Sequence, residues 1–210
     1  MFRRILLELR HHLPFTLGGA VLGIVLLVVL TRLPESVSQR MFETFHPLHV
    51  LASSMATASM YGLYRCTADG RLKCNLLLLL LVGYAGSVGI GTLSDSLIPL
   101  LGEHLLGLPG AEAHIGFIEL WHLVNPAALL GIAISYFRPM TKVPHFGHVL
   151  LSTLASLAHI GMALDGALPV LKYLGLFAFL LVAVWVPCTV SDIAFPLLFV
   201  RDRGPRASAG

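Results

Sequence analysis

Six long apolar stretches, separated by short polar or basic connections, make up most of the chain; they cover roughly residues 13–33, 45–64, 75–95, 112–137, 147–165 and 168–198. Each is near the ~20 mostly apolar residues that a helix needs to cross a bilayer. The pattern therefore predicts an all-α integral membrane protein with six transmembrane helices in a single membrane domain over residues 1–210. The stretch from Asp95 to His104 is too short to cross again and reads as an interfacial or re-entrant segment. Gly83, Ser87 and Gly91, spaced four apart, give the third helix a small-residue face for close packing. Pro126 and Pro187 interrupt the fourth and sixth helices, as at kinks or partly unwound turns.

Composition agrees with the pattern. The chain is 56% hydrophobic and 12% charged, with a mean hydropathy of +0.83, which leaves too little polar surface for a water-soluble globule. Arg3, Arg4 and Arg10 precede the first stretch, Arg65, Arg71 and Lys73 follow the second, Arg138 and Lys142 follow the fourth, and Arg201, Arg203 and Arg206 close the chain. With six crossings these clusters fall on one side, opposed only by Arg32, Arg40 and Lys172. The positive-inside rule then places both termini in the cytoplasm, and the expected location is the inner (plasma) membrane of a prokaryote. This bias accounts for the net charge of +3, so nucleic acid is not an expected partner. No nucleotide-binding motif is present. Residues Leu30 to Pro34 offer no small-residue cleavage site, so the first stretch is expected to be retained. Cys66, Cys74 and Cys188 lack CxxC spacing and read as reduced thiols.

The polar residues inside this apolar pattern are duplicated. His46, His49, Val50, Leu51 and Ser53 match His145, His148, Val149, Leu150 and Ser152, and the match extends to Ala56/Ala155 and Gly62/Gly161, with Ser54/Thr153 and Thr57/Ser156 similar. Further on, Thr92, Ser94, Asp95 and Pro99 match Thr189, Ser191, Asp192 and Pro196. A looser match pairs Glu8, His11, Gly23 and Ile24 with Glu119, His122, Gly131 and Ile132. Repeat 1 spans about 1–104 and repeat 2 about 111–203, leaving 204–210 as a disordered tail. Three spans per repeat is an odd number, so the second copy enters the membrane from the opposite side. Such inverted repeats are common in secondary transporters. They can close within one chain or across a homodimer.

The repeated residues are metal ligands by type. Residues three apart share a helix face, so each HxxH pair can present two imidazoles to one ion, and imidazole with carboxylate suits Zn, Mn, Fe or Ni. The expected outer group is His46, His49, Asp95, Glu119 and His122; the expected inner group is His145, His148, Asp192, Glu8 and His11. Both aspartates are expected near helix C-termini, where the dipole favours a cation. His159 reads as a core histidine, and Glu103, His104, Glu112 and His114 as a solvated loop.

These features point to a small transporter of a divalent transition metal, zinc first, with proton coupling through His and carboxylate groups. The lipid bilayer and the ion are its expected partners, without nucleotide. Two other readings compete: an intramembrane metalloenzyme with Glu119 as base, and a b-haem carrier with paired histidines as axial ligands.

Overall fold

The computed structural model describes the backbone of residues 2–65, 75–140 and 142–199, and the side chains of these residues apart from 2–15, 64–65, 142–146, 192–193 and 197. Among the described residues the chain is all-helical. Helix α1 is Phe2–Leu30 and α2 is Glu35–Arg65. Helix α3 runs as one rod over Leu76–Leu105. A short α4, Gly116–Glu119, is offset at Leu120 from α5, Trp121–Phe137. Helix α6 is Lys142–Met162. Helix α7, Val170–Thr189, continues through a π-helical segment Val190–Ala194 into Phe195–Leu198.

Two of these helices differ from the expected limits in ways that move the polar residues. Helix α2 begins ahead of residue 45, so His46 and His49 lie inside it rather than at its start. Helix α3 does not end at Asp95, and no re-entrant segment follows it. Two π-helical segments, Ala85–Gly89 and Leu93–Leu97, are absorbed instead, and the rod continues to Leu105. Asp95 is therefore in a helix interior, away from any C-terminal dipole. Bonding from i to i+5 puts more residues into a turn than the α pattern and is frequent at functional sites. Here Ser94, Asp95 and Ser96 are all buried in succession. Asp192 holds the same central place in Val190–Ala194, just beyond Pro187, which has no N–H to donate.

Buried polar side chains gather at the centre of the packing, between apolar clusters. Helices α2 and α6 run antiparallel at the centre: a Cβ on Gly161 would strike Ser38, while His49 stacks on His148. Their facing stripes are polar and buried: His46, His49, Ser53 and Thr57 on α2, and His148, Ser152, Ser156 and His159 on α6. The outside is apolar. Val21, Leu22 and Val25 of α1, Leu76, Leu77 and Leu81 of α3, and Leu129 and Leu130 of α5 are exposed, and Val170 and Leu171 reach 76% and 79%. Helices Leu76–Leu105 and Val170–Thr189 are long and apolar enough to cross a membrane; Thr16–Leu30, Trp121–Phe137 and Gly147–Met162 are shorter apolar segments.

Contacts between the two halves are reciprocal. Ser53 bonds Ser191 at 3.0 Å, and its counterpart Ser152 approaches Ser94 at 3.3 Å. The Thr57 hydroxyl lies 3.1 Å from the Ser191 carbonyl, and Ser156 donates to the Ser94 carbonyl at 3.0 Å. Gly131 of α5 abuts Ser54, as Gly23 of α1 abuts Thr153. One apolar cluster joins Leu27 of α1, Leu157 of α6 and Leu180 of α7; another joins Ile132 of α5, Ala58 of α2 and Val82 of α3. The elements named in each list are counterparts in the duplicated sequence.

Candidate metal centre

The centre is built on Asp95. Its Oδ2 lies 2.9 Å from His46 Nδ1 and 2.6 Å from His49 Nδ1, while its Oδ1 lies 2.6 Å from Ser94 Oγ and 2.9 Å from Ser152 Oγ. All five residues are buried. An ionised carboxylate only accepts, and four neighbouring groups able to donate make this site suited to that form. Each imidazole then carries its proton on Nδ1 and keeps a lone pair on Nε2. A carboxylate that fixes the tautomer through one ring nitrogen and frees the other for an ion is the usual support of metal-ligating histidine. His46 Nε2 is buried and makes no hydrogen bond among the described residues. Its ring is stacked on Phe42 at 5.2 Å.

His49 joins this group to the other half of the chain. Its ring stacks on that of His148 with centroids 5.7 Å apart and planes 17° from parallel. Cys188 of α7 is buried beside both imidazoles. His49, His148 and Cys188 offer ligand atoms that all fall within 4.8 Å of one another, as do His46, His49 and Asp95. The two triads share His49. The expected outer and inner groups are thus not separate at this point: interior placement of His49 and His148 on antiparallel helices brings them into contact.

The remaining candidates stand apart or outside the described side chains. Glu119 is 46% exposed and lies 3.5 Å from His114, itself 29% exposed. His122 is exposed and meets the ring of Trp121. Neither belongs to a buried triad, because the offset at Leu120 leaves Glu119 and His122 on the surface. The side chains of Glu8, His11, His145 and Asp192 lie outside the described residues.

Two residues acquire roles that their sequence context hid. Glu103, expected in a solvated loop, is fully buried on α3, with Oε1 2.8 Å from His159 Nδ1. Phe42 bridges this pair to the centre, stacked on His46 and edge-on to His159 at 5.6 Å. His114 lies on the other side of His159, with ring centroids 5.9 Å apart. Cys188 is the second. It precedes Asp192 by four residues, as Gly91 precedes Asp95, and a Cβ on Gly91 would sit 3.8 Å from His49 Cε1. The repeat register alone could have placed Cys188 beside a central histidine.

Comparison with known protein families, with curated proteins and with solved structures finds no match to this chain.

Proposed function

We propose that this chain is a small membrane transporter of a divalent transition-metal ion, built as two three-helix repeats of opposite orientation, with proton coupling through the groups that hold the ion. The observation that carries the reading is the buried His46–Asp95–His49 group in contact with His148. Ionisable groups buried between apolar helices are costly, and their usual justification is an ion pathway. The donor set fits an ion: Asp95 is satisfied by its neighbours, while His46 Nε2 is buried without a partner among the described residues. The apolar exterior of α1, α3, α5 and α7 favours a lipid surrounding. Reciprocal hydrogen bonds between Ser53 and Ser191, and between Ser152 and Ser94, favour a two-fold relation in which counterparts His49 and His148 meet at the axis. A site on such an axis can open to either side with similar energy.

The metalloenzyme reading called for Glu119 as base, and an exposed Glu119 paired with His114 gives it no support. The test of transport is zinc movement into proteoliposomes holding a zinc-sensitive dye. Wild-type protein is expected to move zinc and the His46→Ala/His49→Ala variant to lose most of the rate. Equal rates in the two proteins, together with purified wild-type protein that holds no metal, would overturn the assignment.

A further inference from the structure

We infer that His49, His148 and Cys188 form a thiolate-containing binding site that selects zinc, a thiophilic divalent cation, over manganese and magnesium. The inference rests on the transport reading above and names its substrate class. Three observations carry it. The ligand atoms of all three residues lie within 4.8 Å of one another, and all three residues are buried. Asp95 occupies Nδ1 of His49, so the nitrogen left for an ion is Nε2. The third is an asymmetry in an otherwise reciprocal centre. The position equivalent to Cys188 in the first repeat is Gly91, so a single sulfur, rather than two, reaches the histidine pair.

The chemistry follows from the donors. Thiolate selects Zn or Cu(I), imidazole suits both, and neither favours Mg or Mn, which prefer oxygen. Zinc takes such ligands at about 2.0–2.3 Å in tetrahedral geometry, and three donors gathered within 4.8 Å can close on it through side-chain adjustment. When the ion binds, the S–H bond of Cys188 breaks, an S–metal bond forms and the proton leaves. Loading and proton release are coupled at one residue.

Full-length protein in detergent, titrated separately with cadmium, zinc and manganese, tests this. Cadmium is the optical probe because a cadmium–thiolate bond absorbs in the near ultraviolet. Wild-type protein is expected to show that band and to prefer zinc to manganese. Cys188→Ser, which keeps size and shape, is expected to lose the band and at least tenfold in zinc affinity, with manganese affinity unchanged. A Cys66→Ser/Cys74→Ser variant is expected to keep both properties. A wild-type protein that binds zinc without a thiolate band, or a Cys188→Ser protein with the original zinc-to-manganese preference, overturns the inference and leaves the transport reading standing. Wild-type protein that binds no metal ends both.

Discussion

His49 Nδ1 and Asp95 Oδ2 are 2.6 Å apart in a buried setting, and this contact determines which nitrogen of His49 faces the centre. With Asp95 as acceptor, Nδ1 holds the proton and Nε2 is basic. Asp95→Asn removes the charge and puts two N–H donors where only acceptors were needed. Loss of such an outer partner typically costs 10–100-fold in metal affinity. Competition titration with a zinc chelator is expected to show about that loss in Asp95→Asn, with helix content unchanged by circular dichroism. A variant with wild-type affinity would show that Asp95 does not set the tautomer.

Ser152 supports the charge of Asp95 directly, its Oγ donating to the buried carboxylate at 2.9 Å. A hydrogen bond to a charged group contributes about 1.5–3 kcal/mol and a neutral one about 0.5–1.5 kcal/mol. Unfolding in mixed micelles is therefore expected to show Ser152→Ala destabilised by about 1.5–3 kcal/mol. A loss at or below about 0.5 kcal/mol would mean that Asp95 gains little from its Oδ1 neighbours.

Much of this arrangement is legible in the sequence because it is written twice. The all-helical fold follows from apolar periodicity, and the repeated His, Ser and Asp positions include His46, His49, Asp95, His148 and Ser152 of the centre, while the side chains of His145 and Asp192 lie outside the described residues. Helix limits are less legible. An apolar run marks where a helix is greasy rather than where it starts, and α2 begins with the polar segment from Glu35 to Arg40. This extension is what moves His46 and His49 into the interior. Asp95 gives no local sign that a π segment will absorb it without ending the helix. Glu103 beside His104 and Gly102 looks like a loop until His159, far away in sequence, supplies its partner.

That partnership predicts a non-additive response. Glu103 and His159 are both about 1% exposed, with Oε1 2.8 Å from Nδ1. Deleting one member leaves the other buried with an unmatched hydrogen-bonding atom, which costs about 1–3 kcal/mol, whereas replacing both with apolar groups can be nearly neutral. Glu103→Leu is expected to lower the unfolding midpoint sharply, and Glu103→Leu/His159→Leu to recover most of the loss. A double variant as unstable as the sum of the singles would show that the two residues do not act as a pair.

The close approach of α2 and α5 gives a prediction of opposite signs at two glycines. A Cβ on Gly131 would collide with the Ser54 hydroxyl and the Leu51 carbonyl, one of them backbone that cannot step aside. Gly18 of α1 has nothing within 4 Å of the same position. Alanine in place of a helix-interior glycine stabilises by roughly 0.5–1 kcal/mol when space allows, and forcing a methyl group into packed surroundings costs about 1–3 kcal/mol. Gly18→Ala is therefore expected to raise the melting temperature slightly. Gly131→Ala is expected to lower it and, because Ser54 and Leu51 flank Ser53 and Val50 on the central helix, to weaken zinc binding as well. If Gly131→Ala melted with the wild type, the α2–α5 contact would have to be looser than the position of Ser54 requires, and the precise setting of His49 would have to come from α6 alone.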